Sequence, residues 1–198
     1  MDKAKKKSGN APAKEDRRVA RSRQALSKAF VSLLMEKGYA RVSIRDIVER
    51  ANVGRSTFYE HFENKEQLML WGHEHLKALL LGDPAAAPSA SGAPRLPFLG
   101  LYIHLSESGP MAQALGKGPG AEIVSGFLRD TLRRNLETQA TGGRKTSIAE
   151  RAVLAMKAEA ASAGLVAVLW RWVKDGMRQT PRAMADFCDA YLDGVFAR

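Results

Sequence analysis

Residues 41–68, RVSIRDIVERANVGRSTFYEHFENKEQL, constrain the fold of this chain more than any other stretch. Ser43 and Asp46 form an S-x-x-D pattern, so Ser43 is placed to cap a helix N-terminus. Ile44, Ile47, Val48 and Ala51 then recur at i, i+3, i+4 and i+7, the apolar face of one helix. Asn52 tolerates the left-handed conformation that stops a helix. Val53 is an apolar plug in the turn, and Gly54 opens a second helix. Phe58 and Phe62, four apart, give that helix a narrow buried face, while Arg55, Ser56, Thr57, Tyr59 and His61 fall outside it. A short helix with a polar, cationic outer face, held by a packed turn, suits the major groove of DNA.

The segment resembles the DNA-binding domain of the TetR/AcrR family of bacterial transcriptional regulators. The residues that carry the resemblance are Val42, Ser43, Ile44, Ile47, Val48, Ala51, Val53, Thr57, Phe58, Tyr59, His61, Phe62, Lys65, Glu66 and Leu68. Counted back to Arg17, it covers roughly a quarter of the chain. Asn52 stands where the family usually has Gly, and Gly54 where Ser or Thr is commoner; both adopt the required backbone. Glu60 is a departure of another kind, because a carboxylate repels DNA phosphates unless it points away or pairs with Arg55 or a neighbouring cation.

The outer residues divide by chemistry. Arg55 is the candidate for guanine, because its fork matches the O6 and N7 acceptors. Ser56, Thr57 and His61 share its face. Tyr59 and Lys65 occupy positions that resemble the family's phosphate contacts, with packing as the alternative for Tyr59. Ser43 is expected to offer its hydroxyl and free backbone N–H groups to another phosphate.

A formal charge of +10 and a pI near 9.9 favour a polyanionic partner, nucleic acid before an anionic membrane. The single cysteine, Cys188, excludes an internal disulfide and points to a reducing compartment. No apolar run is read as approaching the ~20 residues of a bilayer span, and no secretory signal is read. A cytoplasmic protein without membrane contact is expected.

Residues 1–16 are lysine-rich, lack an apolar period and are expected to be disordered, either a solvated tail or a basic arm on DNA. Residues 17–37 read as the first helix, with Leu26, Phe30, Leu33 and Leu34 inward and Arg17, Arg18, Arg21 and Arg23 outward. The helix-turn-helix domain is placed at 17–63 and a connecting helix at 64–81, where Asn64 and Gln67 suggest a capping box. His73 and His75 are two apart and cannot form an i, i+4 metal pair. Four prolines make 82–97 a flexible loop.

Residues 98–198 continue in helical periods, broken at 116–120, 140–145 and 175–176, with Ser147 and Thr180-Pro181 as helix starts. The whole chain reads as all-α with about nine helices. No cofactor motif and no catalytic spacing is present, so an enzyme is not expected. The resemblance implies that this second half is a divergent ligand-binding and dimerisation domain. Tyr102, His104, Phe127 and Trp170, with Trp71, Phe98 and Met111, line either a core or a pocket for an apolar or aromatic effector. The small-residue run 152–164, then Leu165, Val168 and Trp172 with Phe187 and Tyr191, is expected to pair across a two-fold axis. Two functions stand at this point. One is a homodimeric, ligand-responsive repressor on a pseudo-palindromic operator. The other uses the helix-turn-helix for packing only, within an enzyme or interaction protein.

Overall fold

The computed structural model describes residues 11–72, 92–142 and 144–197. Nine α-helices and one 3₁₀ turn occupy them, and among the described residues there is no strand. In chain order they are α1 (Ala11–Lys37), the 3₁₀ turn Tyr39–Arg41, α2 (Ile44–Ala51), α3 (Arg55–His61), α4 (Lys65–Gly72), α5 (Phe98–Glu107), α6 (Gly109–Leu115), α7 (Pro119–Thr141), α8 (Ile148–Lys174) and α9 (Pro181–Phe196).

The N-terminal domain is a three-helix unit around Leu26, Phe30, Leu34, Ile47, Phe58 and Phe62, with Leu68 of α4 closing it. The start of α1 lies at Ala11 rather than at Arg17. Ala11, Ala13, Lys14 and Glu15 are good helix formers, and Pro12 sits in the first turn, where a missing N–H is tolerated. Extending an existing helix needs no new nucleus, so no apolar period is required there. The expectations for residues 1–10, for the connecting helix past Gly72 with His73 and His75, and for 82–91 fall outside the described residues.

The end of the expected flexible loop is packed. Ala93, Pro94 and Leu96 are buried. The Arg95 backbone N–H donates to Gln139 Oε1 at 2.8 Å, and its guanidinium donates to Asp193 Oδ2 at 2.7 Å. Prolines forbid a helix here, but they do not prevent an irregular strap from docking through its apolar side chains and one charged anchor.

In the second half α8 lies along α7 and also touches α6 and α9, while α9 packs on α5. The apolar length of α8 corrects the membrane reading. By length and composition it is long and apolar enough to cross a bilayer. Its many alanines disguised the run. In this fold Ala158, Ala161, Leu165, Leu169 and Trp172 are buried, so it serves as a core helix. The two halves meet where α6 packs on α1 and where α7 packs on the 3₁₀ turn. Gly120 of α7 allows a close approach there: a methyl on it would lie 3.2 Å from Tyr39 Cβ and crowd it.

Candidate nucleic-acid interface

The seat of α3 is built from local signals. Ser43 caps α2: its Oγ accepts from the Asp46 N–H at 3.2 Å, and Asp46 Oδ2 accepts from the Ser43 N–H at 2.7 Å. Lys37 of α1 closes on the same carboxylate at 2.8 Å. That ammonium first, then the Ser43 donors, hold the Asp46 carboxyl well below its usual range. A second clamp joins the helices where Arg50 grips Glu36, lowering its carboxyl to about 2. Asn52 ends α2 in the left-handed region, φ 52°, ψ 48°. Phe58 and Phe62 then anchor α3, with ring centres 5.9 Å apart and both rings buried.

The outward face of α3 carries Arg55, Ser56 and Tyr59, all exposed, with Thr57 and His61 half-buried at its edge. No described element of the chain covers it. Arg55 Nη2 donates to Tyr59 Oη at 3.3 Å, and the guanidinium lies 5.6 Å from the centre of that ring. The two side chains thus hold each other in place on the open face. Glu60 does not pair with Arg55. It faces a cleft between α3 and α1 that it shares with Arg18, Val19, Ser22, Thr57 and His61. Arg17, Arg18 and Arg21 are exposed along α1 beside the recognition helix, whereas Arg23 is half-buried, its Nε without a partner.

Two of the phosphate candidates are engaged within the chain. The N–H and hydroxyl of Ser43 both donate to Asp46, the latter at 2.6 Å. Lys65 points inward: its Nζ donates to the carbonyl oxygens of Tyr39 at 3.1 Å and Val42 at 3.0 Å. Both carbonyls lie at the ends of short elements; that of Tyr39 also accepts from the Val42 N–H at 3.2 Å, so Lys65 is a second, charged donor to it. Sequence spacing carries no sign of a pairing across so many residues.

The pocket and dimer candidates also separate. Tyr102 is buried in the core, edge-on to Trp172 at 5.0 Å and within 3.5 Å of Cys188 Sγ. Phe98 is buried, and Trp71, His104, Met111 and Phe127 are half-buried. Trp170 lines a cleft with Lys117 and Lys174. Leu165 is 3% exposed and Trp172 is 2% exposed, so both face the chain's own core rather than another copy. Val168 and Tyr191 are half-buried, and Phe187 is 50% exposed. The outer side of α8 instead presents Val153, Met156, Ala160, Ala163 and Ala167.

Comparison with known proteins gives the same answer for the N-terminal domain. Residues 26–70 match the family described as bacterial regulatory proteins, tetR family. The chain is 53% identical over 55 residues to the uncharacterized HTH-type transcriptional regulator YxbF of Bacillus subtilis (strain 168), covering 27% of this chain and 14% of that protein. It is 36% identical over 62 residues to the HTH-type dhaKLM operon transcriptional activator DhaS of Lactococcus lactis subsp. lactis (strain IL1403), covering 31% and 33%. It is 35% identical over 75 residues to the probable acrEF/envCD operon repressor of Escherichia coli (strain K12), covering 32% and 34%. The chain thus matches only 14% to 34% of these relatives' own lengths. A solved structure of the dihydroxyacetone kinase operon activator DhaS superposes with a TM-score of 0.57 at 21% identity, covering 86% of this chain and 93% of that one. At that identity the likeness extends the fold, and the fold alone, to the second half.

Proposed function

We propose that this chain, whose residues 26–70 match the tetR family of bacterial regulatory proteins, is a homodimeric repressor whose grip on a pseudo-palindromic operator is altered by a small-molecule effector. The observation that carries the reading is the outward face of α3. It holds Arg55, Ser56 and Tyr59 in the open, on a helix fixed from behind by two buried phenylalanines. A helix used only for packing would have that face covered.

Residues 17–63 form the DNA-reading domain, and the helices from residue 98 onward carry effector and dimer contacts. In the complex Arg55 reads a guanine edge, Ser56, Thr57 and His61 contact neighbouring base edges, and Tyr59 holds a phosphate. Arg17, Arg18 and Arg21 flank the same groove along the backbone. The second copy docks on the apolar outer face of α8 and α9, and the two-fold axis sets the symmetry of the operator. An operator held this way is closed to other proteins, which is how repression follows from binding. The work is done in the cytoplasm, where the DNA is.

The test is selection of bound sequences from random DNA by the whole protein, followed by a reporter driven from the selected site. A two-fold symmetric site whose reporter falls silent supports the reading. A reporter that rises replaces repression by activation. Absence of any selected sequence removes the regulator reading itself.

A further inference from the structure

The end of α6 and the turn after it meet the C-terminal third of α8 in a cleft of about 180 Å³, lined by Gln113, Gly116, Lys117, Trp170, Val173 and Lys174. The indole of Trp170 is fixed from behind. Its Nε1–H donates to Ser125 Oγ at 2.6 Å, and that hydroxyl donates to the Ala121 carbonyl oxygen at 2.6 Å, both on α7. The position facing the benzo edge of the ring is a glycine. A Cβ on Gly116 would sit 3.2 Å from Trp170 Cζ3 and 3.3 Å from Cε3, so a side chain there would crowd the ring. The cleft is therefore a preformed half-sandwich with one aromatic wall.

Its charge has one sign. No carboxylate lines the cleft. Lys117 and Lys174 are exposed and have no acidic partner within 4 Å among the described residues. The C-terminal ends of α6 and α8 border the cleft, and each helix end is worth at most about half a negative charge. Two ammonium groups exceed that, and the balance is about one positive charge. Gln113 adds an amide that donates or accepts. The volume suits one ring: a cavity of ~150 Å³ holds benzene, and drug-sized ligands need ~300 Å³ or more.

We propose that this cleft binds a single-ring aromatic carboxylate, its ring against Trp170 and its carboxylate between Lys117 and Lys174, and that it is the effector site of the regulator; this second clause rests on the function proposed above. The route to DNA is short. The same α6 that forms one wall packs on α1, the helix that carries the DNA-reading domain. A ring wedged between α6 and α8 bears on that contact, and it changes operator affinity to the extent that it prefers one setting of α6 over another.

The experiment uses the full chain labelled with ¹⁵N-tryptophan, titrated with salicylate, and with benzylamine and benzyl alcohol as cationic and neutral probes. The indole N–H signal of Trp170 is identified by its loss in Trp170→Phe. Salicylate should move that signal saturably, and neither of the other probes should. Lys117→Ala combined with Lys174→Ala should weaken salicylate at least tenfold, with an unchanged melting temperature because both side chains are exposed. No saturable shift at Trp170, equal binding of benzylamine or benzyl alcohol, or full affinity in the lysine double variant would overturn the site. Operator affinity is measured in parallel with and without salicylate. Binding at Trp170 with unaltered operator affinity overturns the effector role while the site stands. Binding at Trp170 by a protein that holds no DNA sequence contradicts the regulator reading instead.

Discussion

The Lys65 ammonium lies 4.3 Å from the centre of the Tyr39 ring while donating to the backbone carbonyls of Tyr39 and Val42. One cation at the start of α4 thereby ties the turn before α2 to the helix that follows the recognition helix. Tyr39 also lies against Gly120 of α7. Lys65→Ala should lower stability by about 1–3 kcal/mol, since two buried-side carbonyls lose a charged donor. The salt dependence of DNA binding should stay nearly constant. Thermal melts and binding isotherms at several salt concentrations read both. A slope lowered by about one per subunit with an unchanged melting temperature would return Lys65 to the phosphate role suggested by its sequence position.

Arg55 and Tyr59 are joined by one hydrogen bond but should differ in what they do on DNA. Arg55→Ala is expected to cost about 1–3 kcal/mol on the selected operator and to relax preference at one base pair per half-site. Tyr59→Phe keeps the ring and removes the hydroxyl, so it should weaken cognate and random DNA alike. Arg18→Ala should lower the salt slope without changing base preference. Competition binding against half-site libraries separates these outcomes. Equal loss of cognate and random binding in Arg55→Ala would reverse the assignment.

Cys188 should make stability fall at alkaline pH. Burial pushes its thiol from about 9 up to about 11, against a smaller opposite effect of the Tyr102 hydrogen bond. The folded state therefore keeps the thiol protonated where the unfolded chain releases it. Stability from this group is complete below about pH 9 and is lost as pH rises toward 11, on the order of 2–3 kcal/mol. Urea midpoints at pH 8 and pH 10.5 should diverge more in the wild type than in Cys188→Ala. The same burial predicts that iodoacetamide labels Cys188 only on unfolding.

What the sequence made legible was local. Ser43 with Asp46, Asn52, Ser147 and Thr180 with Pro181 act within one helical turn, and each marks an element boundary at the observed place. What it hid was long-range or symmetric. Lys65 finds its carbonyls more than twenty residues back, and Arg95 reaches Asp193 across most of the second half. On α8 the apolar residues run all round the helix, so its period cannot tell an inward Leu165 from an outward Met156. Only the packing of α7 and α9 decides which face is left. That is why the candidate DNA surface was readable as a face and the candidate dimer surface only as a pair of helices.

The dimer prediction follows from the face that was left. Met156 is 64% exposed and Val153 48%, and exposed Ala160, Ala163 and Ala167 continue the stripe along α8. Phe187 stacks on Tyr191 with ring planes 5° apart, and Tyr191 Oη lies where a methyl on Gly164 would come within 3.0 Å. The two helices thus present one continuous apolar surface, which a monomer would leave in water. At a two-fold interface each substitution acts twice. Met156→Asp or Phe187→Asp should raise the dimer dissociation constant at least 100-fold, about 3 kcal/mol, while the helical signal stays intact. Leu165→Asp should behave differently: it places a carboxylate inside the chain's own core and should abolish folding rather than split the dimer. Sedimentation at micromolar concentration with circular dichroism distinguishes the two results. A wild type that is monomeric there, or a Leu165→Asp protein that folds as a monomer, would place the interface elsewhere.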